Sequence, residues 1–340
     1  MNQKIQTVGI ASVGYYLPSG RLTAEEMSKL SNLPEMVFTE KIGINQKPIA
    51  AKDEHPSDMG MKAALKAIEN AEITAKEIDL IAYCGAGDYD YRFWSPAAKI
   101  QGEIGAENAF AFEVKNFCNS GNLGINLCRN MLLADDELSY ALIICSDKLS
   151  VLLDYTDLDC LSTFTFADGS AAAILKKGES SNQILSYHAI TDGKMADYLK
   201  VPLAGTKFPI DNKEVDKELS YLKVGNPKQL DNILSEVYLE NYQKVIHKSL
   251  VKSGYSIDDV DFLFTYQVKK SLLNRIFESL ELDQKKTFIS LPENGHLGAV
   301  DTLFCLGKTL ESNQIKPGNL VVLASSAAGF SWAALTVKYN

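Results

Sequence analysis

The sequence predicts an α/β fold built from two copies of one plan, and three observations carry that prediction. A helix–turn–strand unit repeats, the strands are apolar without alternation, and the composition suits a large soluble core. The chain has 340 residues, 46% of them hydrophobic and 23% charged, enough for one large domain or two medium ones. An amphipathic helix, a short acidic turn and an apolar strand occupy Lys62 to Cys84, and the plan recurs at Gln243 to Tyr266, with Ile78-Asp79 matched to Val260-Asp261. Another helix and two more strands follow each unit: Ala141 to Cys145 and Gly169 to Leu175 in the first half, Leu320 to Ala324 and Ser331 to Val337 in the second. Short continuous apolar runs of this kind belong to sheets covered on both faces by helices.

The halves are expected at residues 1–177 and 178–340, packed as a pseudo-dimer into one body. Asp192 to Lys228, rich in Lys, Asp, Pro and Gly, reads as an insertion or lid. Met1 to Leu17 has strand-like apolar residues without a basic region leading into a long apolar run. No stretch approaches the roughly 18 apolar residues of a membrane span, so a cytoplasmic location away from membranes is expected. Lys plus Arg number 34 against 43 acidic residues, a net charge of −9 that argues against a nucleic-acid partner. Gly85-Ala-Gly87 lacks the following glycine of a dinucleotide fingerprint.

Six cysteines, Cys84, Cys118, Cys128, Cys145, Cys160 and Cys305, are scattered with no CxxC pair. Reduced thiols are therefore expected, most of them acting as small core hydrophobes. Cys118 differs. Phe110 to Val114 reads as a strand and Asn119 to Leu133 as a helix with Gly121 and Gly124 in its first turns, which places Cys118 at the junction. Unpaired amide donors and the positive end of the helix dipole favour the thiolate there. On position alone, a small core cysteine in an asparagine-rich turn is an equal reading.

Several segments, in order, resemble the β-ketoacyl synthase III family of the thiolase superfamily, over nearly the entire chain. They are Gly43-Ile44 with Ala50 to Asp58, Phe117-Cys-Asn-Ser-Gly121, Phe166-Ala-Asp-Gly-Ser-Ala171 and Ala327-Ala-Gly-Phe-Ser-Trp332. The resemblance implies a five-layered αβαβα fold and a homodimer. It also implies an acyl group carried on Cys118 after transfer from coenzyme A or an acyl carrier protein, with no permanently bound cofactor.

The resemblance further implies a Cys-His-Asn triad, in which His and Asn stabilise the carbanion left when a malonyl thioester loses carbon dioxide. This chain departs from it. The usual His-Gln-Ala-Asn run is matched by Tyr266-Gln-Val-Lys269, so Tyr266 replaces the histidine, and the Gly-Asn-Thr-Ser run is matched by Gly295-His-Leu-Gly298. His296 stands at the asparagine position, and Asp301 follows five residues on. In a continuous helix that spacing is about 140° around the axis, so the two side chains meet only if 295–298 is a loop before a helix beginning near Ala299.

Cys118, His296 and Asp301 together resemble the family's atypical acyltransferases, including those of cervimycin- and daunorubicin-type polyketide pathways. In the former, the acyl group passes from cysteine to a sugar hydroxyl. The expected mechanism is ping-pong. An acyl group moves from coenzyme A or a phosphopantetheine carrier to Cys118, and then to a small-molecule hydroxyl or amine deprotonated by His296, which Asp301 orients. The backbone amides of Cys118 and Ala328 are the expected oxyanion hole. A Claisen-type condensing enzyme and a non-catalytic partner subunit are the two alternative readings.

The remaining candidates are structural on their sequence context. His55 reads as a capping turn, and His188 and His247 as parts of a strand and a helix. None has metal-ligand spacing, so no metal is expected. Lys269, Lys270 and Arg275 form a basic group after Tyr266, where the resemblance implies carrier docking. Tyr89, Tyr91, Phe93 and Trp94 read as core or interface packing, where the resemblance implies dimer contacts and part of the acyl pocket.

Overall fold

A computed structural model describes residues 6–210 and 216–340. The first half runs β1 (Val8–Tyr16), β2 (Gly20–Thr23), α1 (Ala24–Ser31), β3 (Gln46–Ile49), α2 (Pro56–Asn70), β4 (Leu80–Tyr83), α3 (Pro96–Ile104), β5 (Phe110–Glu113), α4 (Ser120–Ala134), β6 (Tyr140–Lys148) and β7 (Asp168–Lys177). The second runs β8 (Asn182–Thr191), β9 (Leu199–Lys200), β10 (Lys223–Val224), α5 (Pro227–Lys252), β11 (Phe262–Thr265), α6 (Lys270–Ser279), α7 (Leu291–Asn294), α8 (Asp301–Glu311), β12 (Leu320–Ala327) and β13 (Ser331–Tyr339).

Nine strands hydrogen-bond in the continuous order β11-β12-β13-β8-β1-β7-β6-β4-β5, which falls into a first-half sheet, β5-β4-β6-β7-β1, and a second-half sheet, β8-β13-β12-β11. Among the described residues the two join edge to edge at the Gly9–Gln183 pair, beside which the Asn182 side chain donates to the Ile10 carbonyl at 3.1 Å. Helices α4 and α8 lie between the sheets and touch strands of both, α2 and α3 cover the outer face of the first sheet, and α5 covers that of the second. Helix, sheet, helix, sheet, helix is thus the layer order, the thiolase-type αβαβα fold. The central strands β4, β6 and β12 are apolar on both faces because both faces are covered.

The repeat extends to individual bonds. In the first half, Thr74 caps the 3₁₀ turn Ala75–Glu77, and the Asp79 carboxylate accepts from the Ser139 and Tyr140 amides at 2.7 and 2.9 Å, tying β4 to the start of β6. In the second, Ser256 caps Ile257–Asp259, and Asp261 accepts from the Leu320 amide at 2.8 Å, tying β11 to β12. Glycines seat α4 on the first sheet: a Cβ at Gly124 would lie 2.3 Å from the Cys84 sulfur, and one at Gly121 2.7 Å from that of Cys145.

The segment expected as an insertion ends sooner than the composition suggests, because Asn226 caps α5 and Pro227 is its first residue. Its described part carries the β9–β10 ribbon and two 3₁₀ turns, and residues 211–215 of it, like residues 1–5, lie outside the described residues. It is fastened to the first half. Lys223 pairs with Asp157 at 2.8 Å, the Leu222 amide donates to the Leu152 carbonyl at 2.8 Å, and Arg92 donates to the Ala204 carbonyl at 2.6 Å. Among the described residues no helix is long and apolar enough to cross a membrane.

Candidate active site

Two short turns meet between the sheets. Phe117–Asn119 form a 3₁₀ turn leading into α4, with the Asn116 amide donating to the Ser120 hydroxyl at 2.7 Å. Phe117 has a φ of 48°, the left-handed region that strains a side-chain-bearing residue. Cys118 is the one half-buried thiol, while the other five are buried. Burial pushes the Cys128 thiol up to about 12 and holds those of Cys84 and Cys305 well above their ordinary value.

Opposite, α7 ends at Gly295, and Gly298–Val300 make a second 3₁₀ turn that touches the first and leads into α8. His296 lies extended between them: its amide donates to the Thr165 carbonyl at 2.8 Å, and its carbonyl accepts from the Ala167 amide at 2.9 Å. Gly295 has a φ of 60°, and a Cβ there would sit 2.3 Å from the Thr165 oxygen, so the close approach needs glycine. The stretch 295–298 is therefore a loop, but α8 starts at Asp301 rather than near Ala299. The intervening residues are spent on the 3₁₀ turn, fixed as the Asp301 Oδ1 accepts from the Leu297 amide at 2.9 Å.

The loop brings three sequence candidates into one line. His296 Nε2 is 3.2 Å from Cys118 Sγ, and His296 Nδ1 is 2.5 Å from Asp301 Oδ2. His296 and Asp301 are buried. Burial disfavours the charged imidazole, but the Asp301 carboxylate and the Cys118 sulfur outweigh it and hold His296 above the usual imidazole range. An imidazolium beside a sulfur favours thiolate, and a carboxylate on the other nitrogen fixes the ring's orientation.

The β12–β13 hairpin is stitched to the Cys118 turn from both strands. The Ser325 hydroxyl donates to the Cys118 carbonyl at 3.1 Å, and the Asn119 side chain donates to the Ser331 carbonyl at 3.1 Å and hydroxyl at 2.9 Å. Ala328 lies half-buried in the turn of that hairpin. Tyr266 is buried, its ring edge-on to His296 at 5.5 Å; burial pushes its phenol up, and the Ser326 hydroxyl faces it. The other histidines stand elsewhere: His55 caps α2, His188 lies on β8 beside Lys252, and His247 is exposed on α5. Among the described residues no group of His, Cys, Asp and Glu could hold a metal ion.

Two groupings read from sequence come apart. Lys269 precedes α6, Lys270 is its first residue and Arg275 lies within it, so five helical positions set Lys270 and Arg275 about 140° apart around the axis. All three are exposed, but they do not make one face. Of the aromatic cluster, Tyr89 packs edge-on to Tyr83 at 5.6 Å, whereas Tyr91 and Phe93 are 70% and 111% exposed, outside the core of this chain.

Four residues around the site were not singled out from sequence. The Gln267 amide donates to Asp301 Oδ2 at 2.6 Å. Buried Asp147 accepts from the Ala86, Gly87 and Ala299 amides at 2.6, 2.8 and 3.0 Å, and burial raises it to about 6. Ser325 braces the Cys118 backbone, and Lys47 is wholly buried behind the His296 loop. The one signal for Asp147 is a charge terminating an apolar strand; Lys47 sits in a polar Asn-Gln-Lys-Pro stretch that carries no signal of burial.

The family model for 3-oxoacyl-[acyl-carrier-protein (ACP)] synthase III matches residues 112–193, and that for its C-terminal part matches residues 250–339. The β-ketoacyl-[acyl-carrier-protein] synthase III of Syntrophomonas wolfei is 28% identical over 338 residues, covering 99% of this chain and 98% of that protein. Among solved structures, 3-oxoacyl-[acyl-carrier-protein] synthase III from Aquifex aeolicus superposes with a TM-score of 0.85 at 23% identity, over 98% of this chain and 100% of that one. Xanthomonas campestris OleA, solved with lauric acid and lauroyl-CoA, gives 0.83 at 19% identity, over 99% and 100%.

Proposed function

This chain belongs to the 3-oxoacyl-ACP synthase III-like family of the thiolase superfamily, and on that premise we propose that it is an acyltransferase. It takes an acyl group from coenzyme A or an acyl carrier protein onto Cys118 and passes it to the hydroxyl or amine of a small molecule. One observation carries the reading: the Cys118–His296–Asp301 line, at a site whose only imidazole among the described residues already faces the sulfur.

The Cys118 thiolate attacks the thioester carbonyl, and the oxyanion forms against the amides of Cys118 and Ala328. Collapse expels the donor thiolate, which takes the proton from His296 Nε2. The imidazole is now neutral and faces the acyl-enzyme. It accepts the proton of the incoming hydroxyl or amine as that group attacks the same carbonyl, and collapse restores thiolate and imidazolium. Asp301 keeps Nδ1 protonated throughout. Burial holds the Tyr266 phenol protonated, above its ordinary value, so it can donate a hydrogen bond but cannot accept the acceptor's proton, which leaves His296 as the base.

Claisen condensation is the second reading, favoured by the names that relatives such as the S. wolfei protein carry. A partner subunit is the third. The open edge of β5, where Phe110 is 63% exposed, fits a homodimer across that edge. Intact-mass spectrometry with a series of acyl-CoA and acyl-carrier thioesters tests the proposal. An adduct on Cys118 discharged by a hydroxyl or amine acceptor supports it; carbon dioxide from a malonyl thioester points to condensation. The absence of any adduct sinks both.

A further inference from the structure

The face of the loop that carries His296 and points away from the sulfur is held by a buried lysine. Lys47, on β3, is wholly buried, and its Nζ donates to the Phe164 carbonyl at 2.7 Å and the Phe166 carbonyl at 2.5 Å. Thr165, between them, turns its carbonyl the other way and accepts the His296 amide, while the next residue, Ala167, donates to the His296 carbonyl. The Phe166 ring stands edge-on to the imidazole, centroids 5.3 Å apart. The Lys47 stem closes the back of the loop, since a Cβ at Gly295 would lie 3.3 Å from the Lys47 Cβ.

No carboxylate pairs directly with this lysine among the described residues. Asp168, which acts on it through space, spends its oxygens on the Ala50 and Ser150 amides and the Ser150 hydroxyl, at 2.8, 2.9 and 2.6 Å. The Tyr155 ring covers Nζ at 5.3 Å. Burying an amine costs several kcal/mol unless its donors are used, and here they are used on two carbonyls of the turn that bridges to the active-site loop.

We propose that Lys47 is a positioning residue for His296: by drawing the Phe164 and Phe166 carbonyls to itself, it sets the 164–167 turn that fixes the histidine backbone and abuts its ring. The inference rests on the reading that His296 serves Cys118, and the test separates the two. Alkylation of Cys118 by iodoacetamide needs no substrate and reports how well the sulfur is activated. The rate at pH 7 is compared for wild type, Lys47→Met, Lys47→Arg, His296→Asn and the Lys47→Met/His296→Asn double variant, each checked for a native circular dichroism spectrum.

Lys47→Met should slow alkylation by about 3- to 10-fold, a loss of roughly 0.7–1.4 kcal/mol, and Lys47→Arg should recover much of it. With His296→Asn already present, Lys47→Met should add nothing, the signature of action through His296. A folded Lys47→Met that reacts at the wild-type rate overturns the positioning role, as does full additivity with His296→Asn. A wild-type rate in His296→Asn overturns the catalytic reading instead. If Lys47→Met does not fold, hydrogen exchange of the wild-type enzyme decides. Protection of the His296 and Ala167 amides matching that of β7 supports the clamp, and exchange as fast as in an exposed turn overturns it.

Discussion

The two halves of the chain share a frame down to single carboxylates, yet the ends of their central helices carry different chemistry. Asp79 and Asp261 make the same bond at the same place in each half, and each follows a 3₁₀ turn with a capping box. Helices α4 and α8 each follow a 3₁₀ turn, and those turns touch. One end brings Cys118 and the other Asp301, with His296 before it. The frame was free to repeat because burial and bond satisfaction set its residues.

The ribbons that follow β1 and β8 extend the contrast. β3 carries Lys47 and β10 carries Lys223, and both lysines reach residues between Asp157 and Phe166. Lys223 is partly exposed, and its hydrogen bond to Asp157 raises it above the ordinary lysine value. Burial lowers Lys47 to about 7. One lysine is a surface strap and the other a buried brace.

The largest effects should break the asymmetry at the helix ends. Cys118→Ala abolishes the acyl adduct by mass spectrometry. Asp301→Asn leaves the fold intact but slows acyl transfer by about 10³- to 10⁴-fold, through the wrong histidine tautomer. A loss under tenfold in steady-state transfer would show that the second-half carboxylate does not orient the base.

The next test contrasts the lysines through pH. Lys47 titrates near 7 when folded and near 10.5 when unfolded, so between those values the unfolded chain holds the extra proton and stability rises with pH. The slope contributed is at most about 1.4 kcal/mol per pH unit. Below pH 7 both states are protonated and the slope vanishes; above 10.5 the gain is complete. Urea midpoints for Lys47→Met across that window should be flatter than wild type, whereas Lys223→Met should not flatten them.

A smaller effect distinguishes the central helices. Gly124→Ala drives a methyl against the Cys84 sulfur and should cost about 2 kcal/mol, partly recovered by adding Cys84→Gly. Gly307→Ala on α8 meets Tyr15 and Val13 side-chain carbons at 3.1 Å, and the helix-propensity gain of about 1 kcal/mol offsets that crowding. Equal losses in chemical denaturation would mean the two helices are seated alike. Smallest of all, Asp79→Asn and Asp261→Asn should each cost about 1–2 kcal/mol. The larger loss belongs at Asp79, which accepts two amides where Asp261 accepts one.

The frame was legible in sequence because it is local: apolar runs, Asp-led strands and turn residues announce themselves within a window of a few residues. Cys118, His296 and Asp301 were legible as chemical types, and the glycines of 295–298 allowed the loop the structure contains. What holds them was not. Lys47 meets carbonyls over a hundred residues away, Asp147 joins β6 to the turn before α8, and the Gln267 contribution is a backbone amide that no side-chain identity reveals. Lys270 and Arg275, near each other in sequence, are set about 140° apart by the turn of α6, a separation that needs the helix and not the sequence to see.

The touching 3₁₀ turns bring the starts of both central helices to one place. Positions related by the repeat face each other across a single gap, so doubling the plan yields one chemical address rather than two. A chain assembled from two copies can become more specialised than either copy, because the shared gap rewards difference between them.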